Sequence, residues 1–373
     1  MFSSSSRVTD IVAIIICISF VGVNCSFKKK EVFIFSTSKD NWKFYDWSKI
    51  TTVVQFGYTD GDLVQFAHSR NVTVSYAANF PTSILYNHTS LKLWADEQLG
   101  YIKLNNLDGV NIDFEDEINC TDVYARSSFS ILMQLLRMKL KAFKPNGQLS
   151  IDVAWSPNNI DNRCYDYQTL ASYADLVFVM SYDQRSQIFG DCLAGPNSAF
   201  NLMTEGIKRF VEIGIPRGKI VMGIPWYGYD YPCLNYYPIP KKCELKKVPF
   251  RGVACSDAAG TQIGYSTILK YLSNDTHYQN NVWMPLKRIW ILSQDWDEDA
   301  RSPYFTYEDQ ATQSYHQVWY DNYISLSLKY SFATSHGLAG VGCWEADSLE
   351  YSNETYSKQS TAEMWQALPR PSF

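Results

Sequence analysis

Several things this chain has little of narrow its possible roles. Positive charge is not in surplus: 33 Lys and Arg stand against 38 Asp and Glu, a net charge of −5. No basic field gathers polyanions, so nucleic acid is not an expected partner. Histidine is scarce, five in 373 residues, and neither Cys-x-x-Cys nor His-x-x-x-His spacing occurs. With no ligand cluster readable, neither a metal nor a cofactor is expected. No Gly-x-Gly-x-x-Gly follows an early strand, which removes support for a doubly wound dinucleotide-binding sheet. Beyond the first residues, no stretch is apolar for long enough to span about 30 Å of hydrocarbon. The end at Pro371-Ser372-Phe373 carries no retention tetrapeptide.

What is present suits a large globular core. Hydrophobic residues make up 46% and charged residues 19%, which excludes a disordered chain, a coiled coil or a polytopic membrane protein. The length fits two average domains or one (β/α)₈ barrel with insertions, so pattern must decide. Aromatics reach 15%, with 26 Tyr, 20 Phe and 11 Trp, enough either for a heavy core or for flat faces that meet a ligand.

The amino terminus reads as a secretory signal. An apolar run from Ile11 to Val23 follows Arg7 and ends in short residues through Cys25, too short to span a membrane and of the right length for a cleaved leader over 1–25. The mature part, 26–373, is then expected in a lumen or outside the cell, with no stable membrane anchor. Seven cysteines remain there: Cys120, Cys164, Cys192, Cys233, Cys243, Cys255 and Cys343. An odd count allows up to three disulfides and leaves at least one thiol over, with the pairing open. Asn-x-Ser/Thr acceptors at Asn71, Asn87, Asn119, Asn274 and Asn353 agree with the secretory route.

Short β-branched runs alternate with amphipathic stretches, the pattern of βα units. Eight strands are expected: Glu31 to Phe35, Thr52 to Gly57, Val72 to Ala77, Gly109 to Glu115, Leu149 to Trp155, Leu176 to Asp183, Ile220 to Trp226 and Ala339 to Trp344. Helical periods fall between them, for example Leu91 to Leu104 and Ser128 to Ala142. Eight such strands close into a (β/α)₈ barrel. The spacing breaks once, from Gly228 to His316, which predicts an insertion between strands 7 and 8 over the face where barrel sites form. Inside it, Trp283 to Gln294 shows neither turn signals nor a clear amphipathic pattern.

Chemistry concentrates in Asp108-Gly109-Val110-Asn111-Ile112-Asp113-Phe114-Glu115. Alternation places Asn111, Asp113 and Glu115 on one face and Val110, Ile112 and Phe114 on the other. Residues two apart lie roughly 6.5–7 Å along a strand, so the Asp113 and Glu115 carboxyls reach each other. Like charges that close do not both ionise freely, and one should hold a proton near neutrality, as a general acid needs.

This segment resembles the D-x-x-D-x-D-x-E signature of glycoside hydrolase family 18, whose members are (β/α)₈ barrels with the motif ending strand four. The form Asn-Ile-Asp-Phe-Glu is similar to a lysosomal branch of that family. Similarity continues through Trp47 to Phe56, Val153 to Pro157 with Asn159-Ile160-Asp161, Phe178 to Gln187, Val221 to Tyr231, Val248 to Gly260 and His316 to Asn322. The resemblance implies hydrolysis of the β1,4 bond of GlcNAc-GlcNAc, the chitobiose core of Asn-linked glycans. It assigns Glu115 as acid and then base, and Asp113 as the group that orients the substrate's own 2-acetamide, which attacks the anomeric carbon. Met180-Ser181-Tyr182-Asp183 is similar to the family's M-x-Y-D: Tyr182 would donate to the acetamide oxygen, Asp183 would bind sugar hydroxyls, and Met180 shares the inward face. Trp344 would form the apolar floor beneath the sugar, and Trp155 and Asn111 are further candidates for substrate contact. The partner implied is a GlcNAc-containing oligosaccharide, the protein a monomer and the location the lysosome, with secretion as the alternative.

Two positions depart from the family. Asn111 stands where most members carry a second Asp, so Asp113 is expected to be less raised in pKa and to stay ionised at lower pH. Ser75-Tyr76-Ala77-Ala78 replaces S-x-G-G, so strand-three contacts do not carry over. Two other readings fit the same motif. A secreted chitinase acting on polymer would usually carry a chitin-binding module, and none is readable after Trp365. A chitinase-like lectin usually lacks the terminal acid, which Glu115 retains.

Overall fold

The computed structural model describes residues 30–371 apart from 274–275, 280–281, 286–288 and 352–354. The expected leader, Asn274 and Asn353 lie outside the described residues. Eight parallel strands form a closed barrel: β1 (Glu31–Ser36), β2 (Thr52–Gln55), β3 (Thr73–Ala78), β4 (Gly109–Ile112), β5 (Gln148–Val153), β6 (Leu176–Met180), β7 (Ile220–Pro225) and β17 (Gly340–Trp344), the last pairing with both β1 and β7. Every residue of β2, β4, β6 and β7 is buried, as parallel strands covered on both faces require.

Alternation sorts their side chains into two cores. Val32, Ile34, Val53, Val110, Ile112, Val177 and Val179 face outward under the helices. Phe33, Phe35, Val54, Phe178 and Met180 fill the barrel. Phe178 crosses the interior with its ring 5.3 Å from Phe33 and 5.0 Å from Phe35. A Cβ at Gly223 would lie 2.2 Å from that ring and one at Gly342 2.6 Å, so both positions must be glycine for Phe178 to fit.

Helices α1 (Gly61–His68), α2 (His88–Leu104), α3 (Val123–Phe143), α4 (Tyr167–Tyr173), α5 (Phe200–Glu212), α7 (Tyr323–Ser335) and α8 (Thr355–Ala367) ring the barrel. Only a 3₁₀ turn, Asn41–Phe44, joins β1 to β2. Asn87 starts α2 by accepting from the Thr89 and Ser90 amides at 3.0 and 3.1 Å. On α3 the inward stripe is Phe129, Leu132, Met133, Leu136 and Leu140, whereas Ile131 and Met138 are 37% and 59% exposed. No described helix is long and apolar enough to cross a membrane.

Between β7 and α7 the chain builds a second sheet. Its strands are β8 (Tyr227–Pro232), β11 (Thr261–Gly264), β14 (Ile289–Asp297), β15 (Ser302–Asp309) and β16 (Ser314–Trp319), in the order β11-β8-β16-β15-β14 and all antiparallel. Short hairpins β9–β10 (Asn235–Tyr237, Lys242–Glu244) and β12–β13 (Thr276–Gln279, Val282–Pro285) and helix α6 (Tyr265–Leu272) complete it. The puzzling stretch from Trp283 falls partly in β13 and partly in β14. Ile289 and Ile291 pack on the core, while Trp290 and Leu292 are 64% and 44% exposed. Apolar residues on both faces of this edge strand hide its alternation.

Six cysteines pair as Cys120–Cys164, Cys192–Cys255 and Cys233–Cys243, and Cys343 is a buried free thiol. Asn71, Asn87 and Asn119 are exposed.

Candidate active site

A cavity of about 340 Å³ opens at the C-terminal ends of the barrel strands, the face on which barrel enzymes carry out their chemistry. The motif segment enters it just as β4 ends. The Asp113 amide still donates to Ala78 O at 3.0 Å, one residue beyond the last ladder pair, and Glu115 lies farther out at the mouth. Phe114 points the other way into the outer core, so the expected two-residue period holds beyond the strand itself. Asp108, first residue of the motif, sits at the opposite end. There it accepts from the Val74 amide at 2.9 Å and pairs with Lys144 at 2.6 Å, a structural role.

The structure brings Asp113, Glu115, Met180, Tyr182, Asp183, Trp344 and Trp155 together in the cavity wall. Asn111 is not among them. It is fully buried, and its amide is used up by neighbours: Nδ2 donates to Asp152 Oδ2 at 2.5 Å and Oδ1 accepts from Ser150 Oγ at 2.6 Å. Direct contact of Asn111 with substrate is therefore corrected to support of the adjacent strand.

The expected electrostatics of Asp113 are corrected as well. Its pKa is pushed up to about 7, first by burial and next by the charge of Glu115, with Arg163 acting the other way. Losing the family's second Asp at 111 does not leave Asp113 easily ionised, because desolvation is the larger effect. A carboxylate also returns to the neighbourhood from β5: Asp152, buried, lines the same cavity.

Glu115 has a cationic partner. Arg163 Nη2 is ion-paired with Glu115 Oε2 and lies 3.5 Å from Asp161. Arg251 reaches in from the insertion, donating to Glu115 O at 3.1 Å and Asp161 O at 2.6 Å. The loops that carry these groups are fastened together: Ile118 N donates to Asn162 O and Cys164 N to Ile118 O, both at 3.1 Å, beside the Cys120–Cys164 disulfide.

Opposite them, Tyr182 is buried and its phenol is pushed well above its usual range by desolvation and by Asp152, so it stays a proton donor. Asp183, turned by a left-handed φ of 49°, accepts from Tyr227 and from Tyr229 at 3.0 Å. Burial raises Asp183 to about 6. Asp257, from the insertion, is raised to about 7 by burial and then by Asp183, and shares Tyr229 OH at 3.2 Å. Trp344 is wedged edge-on against Phe35 and Phe56, ring centroids 5.1 and 4.7 Å away, which fixes a flat apolar face at the cavity.

Asp152, Arg163, Asp161, Asp257, Gln262 and Phe250 also line the cavity, although the sequence assigns none of them a site role. Asp152 obeys the same alternation that revealed Asp113, with Ser150 its inward neighbour. Gln262 sits on the short strand β11 of the second sheet, and the others come from loops and short 3₁₀ turns, where no long period exists to follow.

Residues 16–348 match the family model described as Glycosyl hydrolases family 18. The chain belongs to family 18 of the glycosyl hydrolases, and it is a glycosidase. It is 40% identical over 341 residues to human di-N-acetylchitobiase, covering 91% of this chain and 83% of that protein. To the probable di-N-acetylchitobiase 2 of Dictyostelium discoideum it is 37% identical over 347 residues, covering 91% and 86%. The structure of a Rhizomucor miehei chitinase superposes with a TM-score of 0.65 at 20% identity, covering 90% of this chain and 100% of that one, which shows the family 18 barrel as a fold.

Proposed function

We propose that this family 18 glycosidase hydrolyses the β1,4 bond of GlcNAc-GlcNAc by substrate-assisted catalysis with retention of configuration. The observation that carries this reading is the placement of Asp113, Glu115, Tyr182 and Trp344 around one cavity. The free enzyme stores its working proton on Asp113 while Glu115 is charged against Arg163. When the acetamide enters, Asp113 passes that proton to Glu115 and becomes the anion that faces the acetamide N–H. Glu115 then protonates the glycosidic oxygen as the acetamide oxygen attacks C1, and the positive oxazolinium is held by Asp113 and by the Tyr182 hydroxyl. Glu115, now a base, takes a proton from the water that opens the ring.

The relatives named for di-N-acetylchitobiose support a short substrate. So does a cavity at the small end of the ligand range of about 300–1,000 Å³. A lysosomal location, a monomeric state, cleavage of the leader over 1–25 and glycans at Asn71, Asn87 and Asn119 belong to the same proposal; the exposure of those three asparagines supports the last. The test is incubation with di-N-acetylchitobiose, its reduced alditol and long chitin. Cleavage of only the unreduced disaccharide is expected. Vigorous cleavage of long chitin would instead make the protein a chitinase, and no cleavage by folded protein a lectin.

A further inference from the structure

Asp152 has no part in the mechanism above, yet its surroundings are built around one of its two oxygens. The β4–β5 register pairs Asn111 with Ser150 and Ile112 with Ile151. Asp113 and Asp152 therefore stand at the same level on neighbouring strands, roughly 5 Å apart along the ladder direction, and both line the cavity. Asp152 is 4% exposed. Its Oδ2 accepts from Asn111 Nδ2, and Ser150 holds the Asn111 amide in the one orientation that makes this donation possible. Its Oδ1 is buried with no hydrogen-bond partner among the described residues. The groups facing it are Asp113 and Glu115 from the end of β4 and Tyr182 from beyond β6, and the nearby cation Arg163 is paired with Glu115 and Asp161 and also acts on Asp113.

An ionised Asp152 would leave Oδ1 a buried anion with no donor, and once Asp113 gives up its proton it would face a second carboxylate. That arrangement is strongly disfavoured. A neutral acid removes that charge: Oδ2 keeps the Asn111 hydrogen bond, and the proton resides on Oδ1, the oxygen left without a donor. We propose that Asp152 is a positioning residue that works as a neutral carboxylic acid, donating from Oδ1 to the Asp113 carboxylate once Asp113 has passed its proton to Glu115. The charge left on Asp113 at that moment then has a donor preset for it, and no proton leaves Asp152. Burial, followed by the charge of Asp113, pushes the Asp152 carboxyl well above its usual range, in agreement. Asn111 thus serves the site by fixing which oxygen of Asp152 carries the proton, while the neighbouring strand supplies the carboxyl that position 111 lacks.

The proposal rests on the catalytic reading above, so its test has one arm that needs no turnover. In the full chain labelled with carbon-13 at the Asp carboxyls, the spectrum of wild type minus that of Asp152→Asn isolates the Asp152 signal. A carboxylic-acid shift between about pH 5 and about pH 7 is expected, and a carboxylate shift would overturn the proposal even if the protein proved to cleave another sugar. In the second arm, Asp152→Asn, which keeps shape and a donor, retains kcat on di-N-acetylchitobiose within about fivefold. Asp152→Ala, checked for folding by thermal melting, loses about 10²-fold in kcat, the scale of removing one preset donor, with KM within about threefold. Its alkaline limb also moves to higher pH, because Asp113 has lost a donor that favours its charge. Asn as damaging as Ala, or Ala as active as wild type, would overturn the proposal. Should the Ala variant fail to fold, the carbon-13 signal and the Asn variant still decide.

Discussion

Arg163 and Glu115 form an ion pair at the mouth of the cavity, with Arg163 buried and the Glu115 side chain 44% exposed. The same guanidinium lowers the Asp113 pKa, which burial and Glu115 raise to about 7. In the proposed mechanism the proton on Asp113 is the one later used by Glu115, so activity is present below that value and lost as pH rises through it. The wild-type kcat/KM profile should therefore fall above about pH 7. Arg163→Gln removes a cation that favours ionised Asp113, so its alkaline limb should move to higher pH. A limb that stays put or moves lower would contradict this arrangement.

The buried acids predict how stability follows pH. Asp183 is raised to about 6, and Asp113 and Asp257 to about 7, in each case by burial first. A carboxyl raised in the folded chain binds its proton more tightly than in the unfolded one, where its value is near 4. Its contribution is thus complete below about pH 4 and disappears as pH rises through 6 to 7. Asp108 is shifted down, Lys144 and the Val74 amide outweighing its burial, and matters only in still more acid solution. Thermal melting should give a higher Tm at about pH 5 than at about pH 7.5, and Asp257→Asn should flatten the difference. An equal or lower Tm at the acid value would count against these shifts.

The Cys120–Cys164 disulfide closes a loop of 44 residues, for which chain entropy allows at most about 4 kcal/mol of stabilisation. It also fastens the loop carrying Arg163 to the one following Glu115. Replacing both cysteines with Ala should lower Tm and also reduce kcat/KM at temperatures where the variant remains folded. A lower Tm with unchanged kcat/KM would show that the bridge serves stability alone.

Glu115→Gln should reduce kcat by on the order of 10²–10⁴-fold, the usual scale for a general acid, while a disaccharide still binds with affinity within about threefold. Tyr182→Phe removes a hydroxyl preset toward the acetamide oxygen and should cost about 10²-fold in kcat. Single-turnover kinetics would separate these chemical losses from slow product release. Near-normal kcat in the Gln variant would remove Glu115 from its role.

Much of this was readable from residue order. Val110, Asn111, Ile112, Asp113, Phe114 and Glu115 alternate as a barrel strand must, which gave both the fold and the paired carboxyls. The eight expected strands match the structure within a few residues, with β6 ending at Met180, three residues before Asp183 turns the chain with a positive φ. Contact of Asn111 with substrate was misread, since period two gives the face of a side chain but not whether a neighbour such as Asp152 covers it. Arg163 and Asp257 reach the cavity from segments fastened by disulfides, and Gln262 from the short edge strand β11 of the second sheet, and such long-range closure leaves no local period. Strand β14 was hidden because Trp290 and Leu292 are apolar yet face outward.

In the proposed mechanism the acetamide of the substrate performs the attack while Asp113 steadies it. This attack is tested most directly by comparing kcat/KM on GlcNAcβ1,4GlcNAc with that on the analogue whose non-reducing sugar bears a free amine. The acetylated disaccharide should be cleaved with the β anomer appearing first, and the free amine should lower kcat/KM by at least about 10³-fold, since the intramolecular nucleophile is gone. Equal cleavage of the two substrates would contradict the account.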